Sequence, residues 1–434
     1  MSETDFKNRG RKRRVLVVSG TRAEFGLLRP VMKAVLDRGG DVGGKITGGT
    51  PVPRGDGGGN GLEARSTGDG GVGLELLVVA AGAHLVQPAV TFREVKAEFE
   101  VADSIPMQTA GRVGRQEDVE ALGRGVSRFG RSFSMLDPDW VVVLGDRIEA
   151  FAAATAASIG GWALAHIHGG DRAEGVADEA MRHAITKLAN LHLPATEGSA
   201  ERIVRMGEDP ERVFVVGSPA IDGLSVIPAL GDGAYAELGS PEVVVLMHPC
   251  GRGDDVEAAE MRKVLQAVEG KRVLVMHPNL DPGRRGILEA IGEFVGGGKN
   301  TGGTPVPRVS GSVVVREHLV RDVFVGLLKR VGLEGGALVG NSSAGLIECS
   351  AIGCLSVDVG DRQAGRERCD GMTVHVDTAA GADGIAAAID EIRSRGVVDG
   401  GHPYGDGTAG VAIARVLAEV DPTVEGFTRK RCVY

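Results

Sequence analysis

Acidic and histidine side chains crowd into one short stretch, HIHGGDRAEGVADEAMRHAITK, at residues 166–187. Carboxylates beside histidines suit general acid–base chemistry, because neighbouring groups push their pKa values apart. We therefore predict a catalytic cluster here. Seven titratable groups fall within eighteen residues: His166, His168, Asp171, Glu174, Asp178, Glu179 and His183.

Two other interpretations of this stretch remain open. His166 and His168 are two residues apart, and on a strand they would share one face, as a pair of metal ligands does. Asp178 and Arg182 have the i,i+4 spacing of an ion pair on a helix surface. The density of acids favours proton transfer over both.

Polar residues also follow two other apolar runs in the first half of the chain. In SGTRAEFG (19–26) the chain passes from a strand to a helix, and the free N–H groups there, with Arg22, suit a phosphate or carboxylate. LGDRIEA (144–150) places Asp146 and Arg147 at an equivalent position. A simple helix cap is the structural alternative for both segments.

The second half repeats this strand-to-helix pattern in GNSSAGLIE (340–348). Ser342 and Ser343, with their small neighbours, would let a diphosphate approach a helix N-terminus, and Glu348 could accept hydrogen bonds from ribose hydroxyls. An ordinary capping box would not explain the arginines downstream in GDRQAGRER (360–368), where Arg362 and Arg366 could neutralise a phosphate.

Two further histidines, His248 and His277, each end an apolar run as MHP. A single histidine at such a place is usually satisfied by packing. Two at equivalent positions indicate that both point into a ligand cleft.

Short β-branched runs alternate with helical patterns along the whole chain, which predicts parallel sheets covered on both faces by helices. The first series of predicted strands begins with VLVVSG (15–20) and ends with VFVVGS (213–218). After a break near residues 225–240 the rhythm restarts at VVVLMHP (243–249). We therefore predict two Rossmann-like halves with the site in the cleft between them.

Composition limits the possible functions. The 434 residues suit two domains, and the net charge of −9 argues against a general nucleic-acid binder. Five cysteines without metal-type spacing predict reduced thiols in the cytoplasm, and no apolar run reaches the roughly 20 residues of a membrane span.

The most unusual sequence feature is a repeat, GGKITGGTPVPR at 43–54 and GGKNTGGTPVPR at 297–308, with eleven of twelve positions identical. Both copies fall between a predicted helix and the next strand, at the sheet edge opposite the ligand cleft. Such glycine-rich chain cannot bury enough apolar surface to offset its ordering entropy. We interpret the copies as tolerated insertions and not as phosphate loops.

The motifs TRAEFGLLRP, LGDRIEA, HIHGGD with DEAMRHAITKLANLH, VGNSSAGLIE and GDRQAGR closely resemble hydrolysing UDP-N-acetylglucosamine 2-epimerases, including those of sialic-acid-type sugar biosynthesis. The resemblance covers nearly the whole chain outside the glycine-rich segments. It implies two Rossmann-like domains in a glycosyltransferase-B arrangement, an active site in the interdomain cleft, and no metal or redox cofactor. It also implies removal of the proton at carbon 2 of the sugar, anti elimination of UDP, and addition of water.

The resemblance carries over residue by residue. Asp146 and Asp178 match acid–base carboxylates, and His248 matches a histidine in the cleft. The expected catalytic residues are Asp146, Asp171, Asp178, Glu179, His168 and His248. The expected nucleotide- and substrate-binding residues are Arg22, Glu24, His84, Arg147, His277, Asn279, Ser342, Ser343, Gly345, Glu348, Arg362 and Arg366.

This sequence departs from the family pattern at three places. Many relatives read HIHGGE where this chain has Asp171, and other branches have Glu in place of His168. The sequence AAGAHL (80–85) replaces TGMHL but keeps Gly82 and His84. The division of acid and base roles among His168, Asp171 and Asp178 stays open, as do the UDP or GDP carrier and the sugar substituents.

The resulting expectation is a cytoplasmic enzyme that acts on a UDP-linked amino sugar, forms a homo-oligomer (dimer or tetramer), and binds neither nucleic acid nor membrane. Its domains are 1–228 with an insertion at 39–73, 240–415 with an insertion at 296–311, and a tail at 416–434. The rival interpretations are a non-hydrolysing epimerase, a glycosyltransferase of the same fold, and a pseudoenzyme that binds nucleotide sugars.

Overall fold

A computed structural model describes residues 11–40, 72–87, 90–112, 114–172, 179–279, 281–296, 313–398 and 402–433. Within these ranges, twelve strands form two parallel sheets of six strands each. Helices lie between the strands, which confirms the predicted α/β class with two Rossmann-like units. The two copies of the GGK repeat lie outside the described residues.

The first sheet has the order β3-β2-β1-β4-β5-β6. Most of its strands consist largely of Val, Leu and Ala side chains buried on both faces, as a covered parallel sheet requires. They are β1 (Arg13–Ser19), β2 (Leu74–Ala81), β3 (Val101–Ile105), β4 (Trp140–Leu144), β5 (Ala163–Ile167) and β6 (Leu191–Leu193). The helices are α1 (Arg22–Gly39), α2 (Phe92–Glu98), α3 (Arg115–Leu136), α4 (Ile148–Gly160), α5 (Glu179–Leu188) and α6 (Glu197–Arg205).

The second sheet has the order β12-β11-β10-β7-β8-β9, which is the same topology as the first. Its strands are β7 (Val243–Leu246), β8 (Val273–Met276), β9 (Val313–Arg316), β10 (Ala337–Gly340), β11 (Leu355–Val359) and β12 (Thr373–Val376). Its helices are α7 (Asp232–Glu237), α8 (Asp254–Ala267), α9 (Arg284–Gly296), α10 (Arg321–Leu333), α11 (Ser343–Leu346), α12 (Glu348–Ala351) and α13 (Gly381–Arg395).

The order of each sheet reverses direction once, between β1 and β4 and between β7 and β10. Ligands of open parallel sheets bind at such a switch point, beyond the carboxyl ends of the strands. These two places therefore locate the site before any side chain is considered.

The last helix, α14 (Ala409–Glu419), returns to the first sheet and packs in its core with α1. The Arg13 guanidinium donates to the carbonyls of Leu417 (2.7 Å) and Ala418 (2.9 Å), and the Trp140 indole donates to Leu417 (3.2 Å). The predicted boundary between 415 and 416 falls inside this helix. Its packing favours counting α14 and the tail with the N-terminal unit.

One predicted strand is wrong. Residues 213–218 (VFVVGS) contribute only an isolated bridge, between His192 and Val213, and the sixth strand is the three-residue β6. Phe214 and Val216 still donate to the carbonyls of His192 (2.9 Å) and Pro194 (3.1 Å), but Pro194 has no N–H to return a bond, so the pairing does not continue as a strand.

No helix among the described residues is long and apolar enough to cross a membrane. All five cysteines are free thiols.

Candidate active site between the two sheets

The carboxyl ends of the two sheets face each other, and polar contacts connect the two units. Arg147, after β4, lies 3.3 Å from Asp281, after β8. Arg366 donates through Nε to the carbonyl of Arg172 (3.1 Å), and Arg321 donates to the carbonyl of Ala220 (2.6 Å). These contacts connect the loops that follow β4 and β5 in the first unit to the loops that follow β8 and β11 in the second, across the cleft.

A buried chain of hydrogen bonds runs through the HIHGGD segment at the end of β5. The Nδ1 atom of His168 lies 3.0 Å from Asp171 Oδ2, and its Nε2 atom lies 3.0 Å from the hydroxyl of Ser218. Ser199 donates to the other oxygen of Asp171 (2.8 Å). His168 is held in the left-handed region, with φ of 61°, where a residue with a Cβ is strained.

Neighbouring charges keep Asp171 ionised within this chain of hydrogen bonds. Burial opposes ionisation of Asp171, but His168 and the nearby Arg366, with two hydrogen bonds, bring the pKa of Asp171 below its usual value. The ionised Asp171 accepts a hydrogen bond from Nδ1 of His168, and the hydroxyl of Ser218 is the partner of Nε2. Asp171 and His168 are thus brought together, as predicted.

Asp146 forms an ion pair with Arg182, whose guanidinium also donates to the carbonyl of Asp171 (3.1 Å). Burial, with the charges of Arg366 and Arg362, lowers the pKa of Arg182 to about 9. The surface-pair interpretation of Arg182 is therefore wrong: only 4% of this residue is exposed. Arg182 connects the turn after β4, which carries Asp146, to the HIHGGD segment.

His166 does not face the same way as His168. Its Nε2 lies 2.8 Å from the Gly145 carbonyl and its Nδ1 lies 3.2 Å from Thr186, so both ring nitrogens are occupied by protein groups. Burial lowers the pKa of His166 to about 3. The left-handed backbone of His168 breaks the alternation of the strand, and the two rings are therefore not arranged as paired metal ligands.

On the opposite side of the cleft, Asn341 organises the switch point of the second sheet. It accepts from the amide of His248 (2.6 Å) and donates to the His248 carbonyl (2.8 Å). Its own carbonyl accepts from Arg362 (3.3 Å) and Gln363 (2.8 Å), which fixes the GDRQAG loop beside β10. Asn341, which the sequence analysis did not select, thereby positions two predicted residues.

The serine motif forms a shorter helix than expected. Ser342 caps α11 by accepting from Ala344 (3.4 Å), and α11 contains four residues, including Ser343 and Gly345. Glu348 begins the separate helix α12, because Ile347 interrupts the helical pattern. A helix of four residues contributes little dipole stabilisation to an anion, so the predicted diphosphate binding would depend on the charges of Arg362 and Arg366.

The two histidines after MHP strands lie at different places. His248 accepts at Nδ1 from the Asn279 amide (3.1 Å), and burial together with Arg362 lowers its pKa to about 3. Asn279 in turn donates to Asp281 (2.5 Å). His277 lies one strand further along, where burial and Arg284 lower its pKa.

Glu348 and Arg321 form the part of the cleft next to α12. Burial raises the pKa of Glu348, against the charges of Arg321 and Arg366. Arg321, at the first position of α10, was not among the expected residues. It shows no motif in the sequence, and only the fold brings it beside Glu348.

Around β1 the expected binding residues are already engaged by protein groups. Arg22 pairs with Glu94 (3.1 Å), and Glu24 accepts from the Gly20 amide (3.0 Å). His84 is fully buried, with Nε2 at 2.8 Å from Ser19 and Nδ1 at 2.6 Å from Thr91. Their roles in binding remain predictions.

Of the two remaining expected catalytic residues, the structure describes only Glu179, which begins α5. Glu179 lies 3.3 Å from His183. Asp178, like Glu174, lies outside the described residues.

The fold and the cleft define a two-domain α/β protein in which an acid–histidine set on one Rossmann-like unit faces arginines on the other. A family model described as UDP-N-acetylglucosamine 2-epimerase matches residues 70–418. The chain belongs to the UDP-N-acetylglucosamine 2-epimerase family.

Individual relatives agree with this assignment. The chain is 29% identical over 404 residues to the UDP-N,N'-diacetylbacillosamine 2-epimerase (hydrolyzing) of Legionella pneumophila, covering 91% of this chain and 93% of that protein. It is 27% identical over 367 residues to the UDP-N-acetylglucosamine 2-epimerase of Neisseria meningitidis, covering 82% and 81%. The structure of a Neisseria meningitidis UDP-GlcNAc 2-epimerase bound to UDP-GlcNAc matches with a TM-score of 0.67 and 16% identity, over 94% of this chain and 100% of that one.

Proposed function

We propose that this protein is a hydrolysing 2-epimerase, which converts a UDP-linked 2-acetamido sugar and water to UDP and the free manno-configured sugar. The observation that carries the proposal is the arrangement of Asp146, Arg182, His168 and Asp171 opposite Arg362 and Arg366. Proton-transfer groups and diphosphate-binding charges thus face each other across one cleft.

The proposed reaction has two stages. A base removes the proton at carbon 2, whose electrons form a double bond to carbon 1 while the bond from carbon 1 to the diphosphate oxygen breaks. UDP leaves with that electron pair. Water then adds to the double bond, with hydroxyl at carbon 1 and a proton at carbon 2 on the face that gives the inverted configuration.

The two units have separate tasks in this proposal. Arg362 and Arg366 stabilise the charge that develops on the departing diphosphate, as preorganised positive groups do. On the other unit, Asp146 is the more accessible carboxylate, with 18% of its side chain exposed, and Arg182 holds it in place. Arg182 connects Asp146 to the His168–Asp171 pair, and hydrogen bonds at both ring nitrogens of His168 fix the orientation of that pair.

The relatives support the proposal without distinguishing its two variants. The Legionella pneumophila protein is named as a hydrolysing enzyme, and the Neisseria meningitidis protein is named as a 2-epimerase. Under the alternative, a non-hydrolysing epimerase, UDP would add back to the intermediate and the product would remain UDP-linked.

Turnover of a small panel of nucleotide sugars tests the proposal. UDP-N-acetylglucosamine, its 4-acetamido-6-deoxy analogue and their GDP-linked counterparts are incubated with the protein, and released nucleotide is measured. We expect release from at least one of them, and loss of release in Asp146→Asn. Binding without any turnover of the panel would instead identify a pseudoenzyme.

A further inference from the structure

Two buried glutamates pack against one glycine, Gly20, at the switch point of the first sheet, and the proposed reaction uses neither. Glu24 is in the first turn of α1, and Glu149 is in the first turn of α4, directly after the turn that carries Asp146 and Arg147. Glu24 is 6% exposed and Glu149 is 1% exposed.

Glu149 connects α4 to the ends of three neighbouring strands. Its Oε1 atom accepts from Gln108 Nε2 (2.7 Å), after β3, and from the amide of Ala83 (3.3 Å), after β2. Beyond β1, a Cβ at Gly20 would lie 2.5 Å from the Cβ of Glu149. The same Cβ would lie 2.9 Å from Glu24 Oε2, so both carboxyl side chains pack against this glycine.

The second oxygen of Glu149 lacks a donor. Among the described residues, the buried Oε2 atom has no hydrogen-bond partner. Buried acceptors are almost always satisfied, and two adjacent carboxylates repel each other when both are ionised. One proton held between the two groups removes both problems.

The charged groups around the pair agree with this arrangement. Burial, with the charge of Glu149, raises the pKa of Glu24 to about 8, although Arg147 acts in the opposite direction. His84, at the end of β2, contributes no charge near neutral pH because burial lowers its pKa to about 4. Asp118, from α3, faces Arg147.

We propose that Glu24 and Glu149 hold one proton between them, and that Glu149 positions the turn carrying Asp146 and Arg147 against the ends of β1, β2 and β3. Glu149 is a positioning residue, since its contacts are with the protein. The link to catalysis rests on the proposed function, whereas the shared proton and the positioning of the turn do not.

The shared proton is tested by infrared spectroscopy, which distinguishes a protonated carboxyl from a carboxylate. The wild type should show a protonated carboxyl band that disappears as the pH rises through about 8. Glu24→Gln should lack it, and the control Glu201→Gln, on the exposed face of α6, should retain it. If the wild-type spectrum contains no protonated carboxyl band that disappears in Glu24→Gln, the two glutamates do not share a proton.

Positioning is tested by amide hydrogen exchange of residues 145–150 in Glu149→Ala and Glu149→Gln. Alanine removes every contact, so exchange of this turn should become faster. Glutamine can still accept from Gln108 and can donate to Glu24, so it should restore slow exchange. If Glu149→Ala is folded and its turn exchanges as slowly as that of the wild type, the positioning role is overturned. If Glu149→Ala unfolds, the role is overturned when the turn of Glu149→Gln exchanges faster than that of the wild type.

Kinetics of UDP release adds the functional readout. A displaced catalytic turn should lower the kcat of Glu149→Ala by about 10²-fold, with a smaller change in KM. Glu149→Gln should recover most of this loss. We expect the kcat of the wild type to fall above about pH 8, as the proton is lost, and Glu149→Gln should lack that fall. The same fall in kcat at alkaline pH in Glu149→Gln and in the wild type would contradict the proposal. Absence of turnover in the wild type would refute the proposed function and leave the shared proton and the positioning role to the two preceding experiments.

Discussion

At the scale of single residues, the site depends on groups whose partners come from distant parts of the chain. His168 has one nitrogen facing Asp171, three residues away, and the other facing Ser218, fifty residues away. The strained backbone of His168 aims the ring at both. Strain of this kind persists only where surrounding contacts hold it, and it is typical of functional sites.

Replacing Asp171 by Asn should separate charge from shape at this site. The amide can still contact His168 and Ser199, but it can no longer balance a positive charge on the imidazole. We expect kcat for UDP release to fall by about 10²–10⁴-fold with the fold retained. His375→Asn is the control, since His375 also lies against a buried carboxylate, Asp358 (3.2 Å), outside the cleft. Similar loss in both variants would contradict a catalytic role for the pair.

The sequence analysis selected residues that fall in dense motifs and passed over residues that only the fold brings to the cleft. HIHGGD and LGDR stood out because many titratable groups follow buried strands. Arg182 was visible but resembled a surface residue, since spacing along a helix cannot show which side is buried. Glu149 resembled an ordinary acid in a first helical turn, and Ser199, Ser218 and Arg321 carry no local signal.

At the scale of elements, the sheet ends are shaped by glycines that allow close approach. Gly82 has a φ of 55°, and a Cβ there would lie 2.1 Å from the Oε1 atom of Glu149. The loop after β2 can therefore approach the first turn of α4 only because residue 82 has no side chain.

Gly82→Ala should displace Glu149 and with it the catalytic turn. Gly111→Ala is a matched control, because Gly111 also has positive φ (76°) but a Cβ there meets nothing within 4 Å. Both variants bear the backbone strain of about 1–2 kcal/mol. Gly82→Ala should in addition lose about 10²-fold in kcat. Equal kinetics in the two folded variants would disprove the close-contact argument.

The C-terminal tail is held to the first unit by a buried carboxylate, Glu208. Its oxygens contact His192 (3.0 Å), Lys187 (2.6 Å) and Lys430 of the tail. Burial alone would raise the pKa of Glu208, but these partners lower it to about 2.

This network should make stability depend on pH. The folded pKa lies below the ordinary value of 4.5, so the stabilisation is present above about pH 4.5 and is lost as the pH falls towards 2. It amounts to about 3 kcal/mol at most. Denaturant unfolding at several pH values should show Glu208→Gln less stable at neutral pH and converging on the wild type in acid. A constant difference between the two proteins would contradict this assignment.

Element types were predictable where apolar runs were long, and less so elsewhere. The Val-rich strands of both sheets follow from burial on two faces. The three-residue β6 is too short to show a pattern, and the run at 213–218 lies beside Pro194, which cannot donate to it. The return of α14 to the first sheet could not be predicted, because an amphipathic helix does not reveal which sheet it covers.

At the scale of the whole molecule, two sheets of identical topology place their switch points opposite each other. The elements flanking the two GGK copies are now defined: α1 ends at Gly39 before β2, and α9 ends at Gly296 before β9. Both copies therefore lie in the sequence between a helix and the strand that follows it.

Removing the repeats should leave the enzyme working. Deletion of residues 43–71 and 297–308, each replaced by a short turn, should keep kcat near the wild-type value, because loop length changes stability only slowly. Turnover and thermal unfolding of the deletion variant measure this. A folded protein without turnover would show that the repeats contribute to the site.

The fate of the nucleotide and of carbon 2 tests the central claim most directly. The protein is incubated in D2O with the nucleotide sugar it turns over, and the products are followed by NMR. Elimination followed by hydration predicts UDP and a free manno-configured sugar with deuterium at carbon 2. A final product that remains UDP-linked, or a released sugar that keeps its original configuration and its hydrogen at carbon 2, would contradict the account.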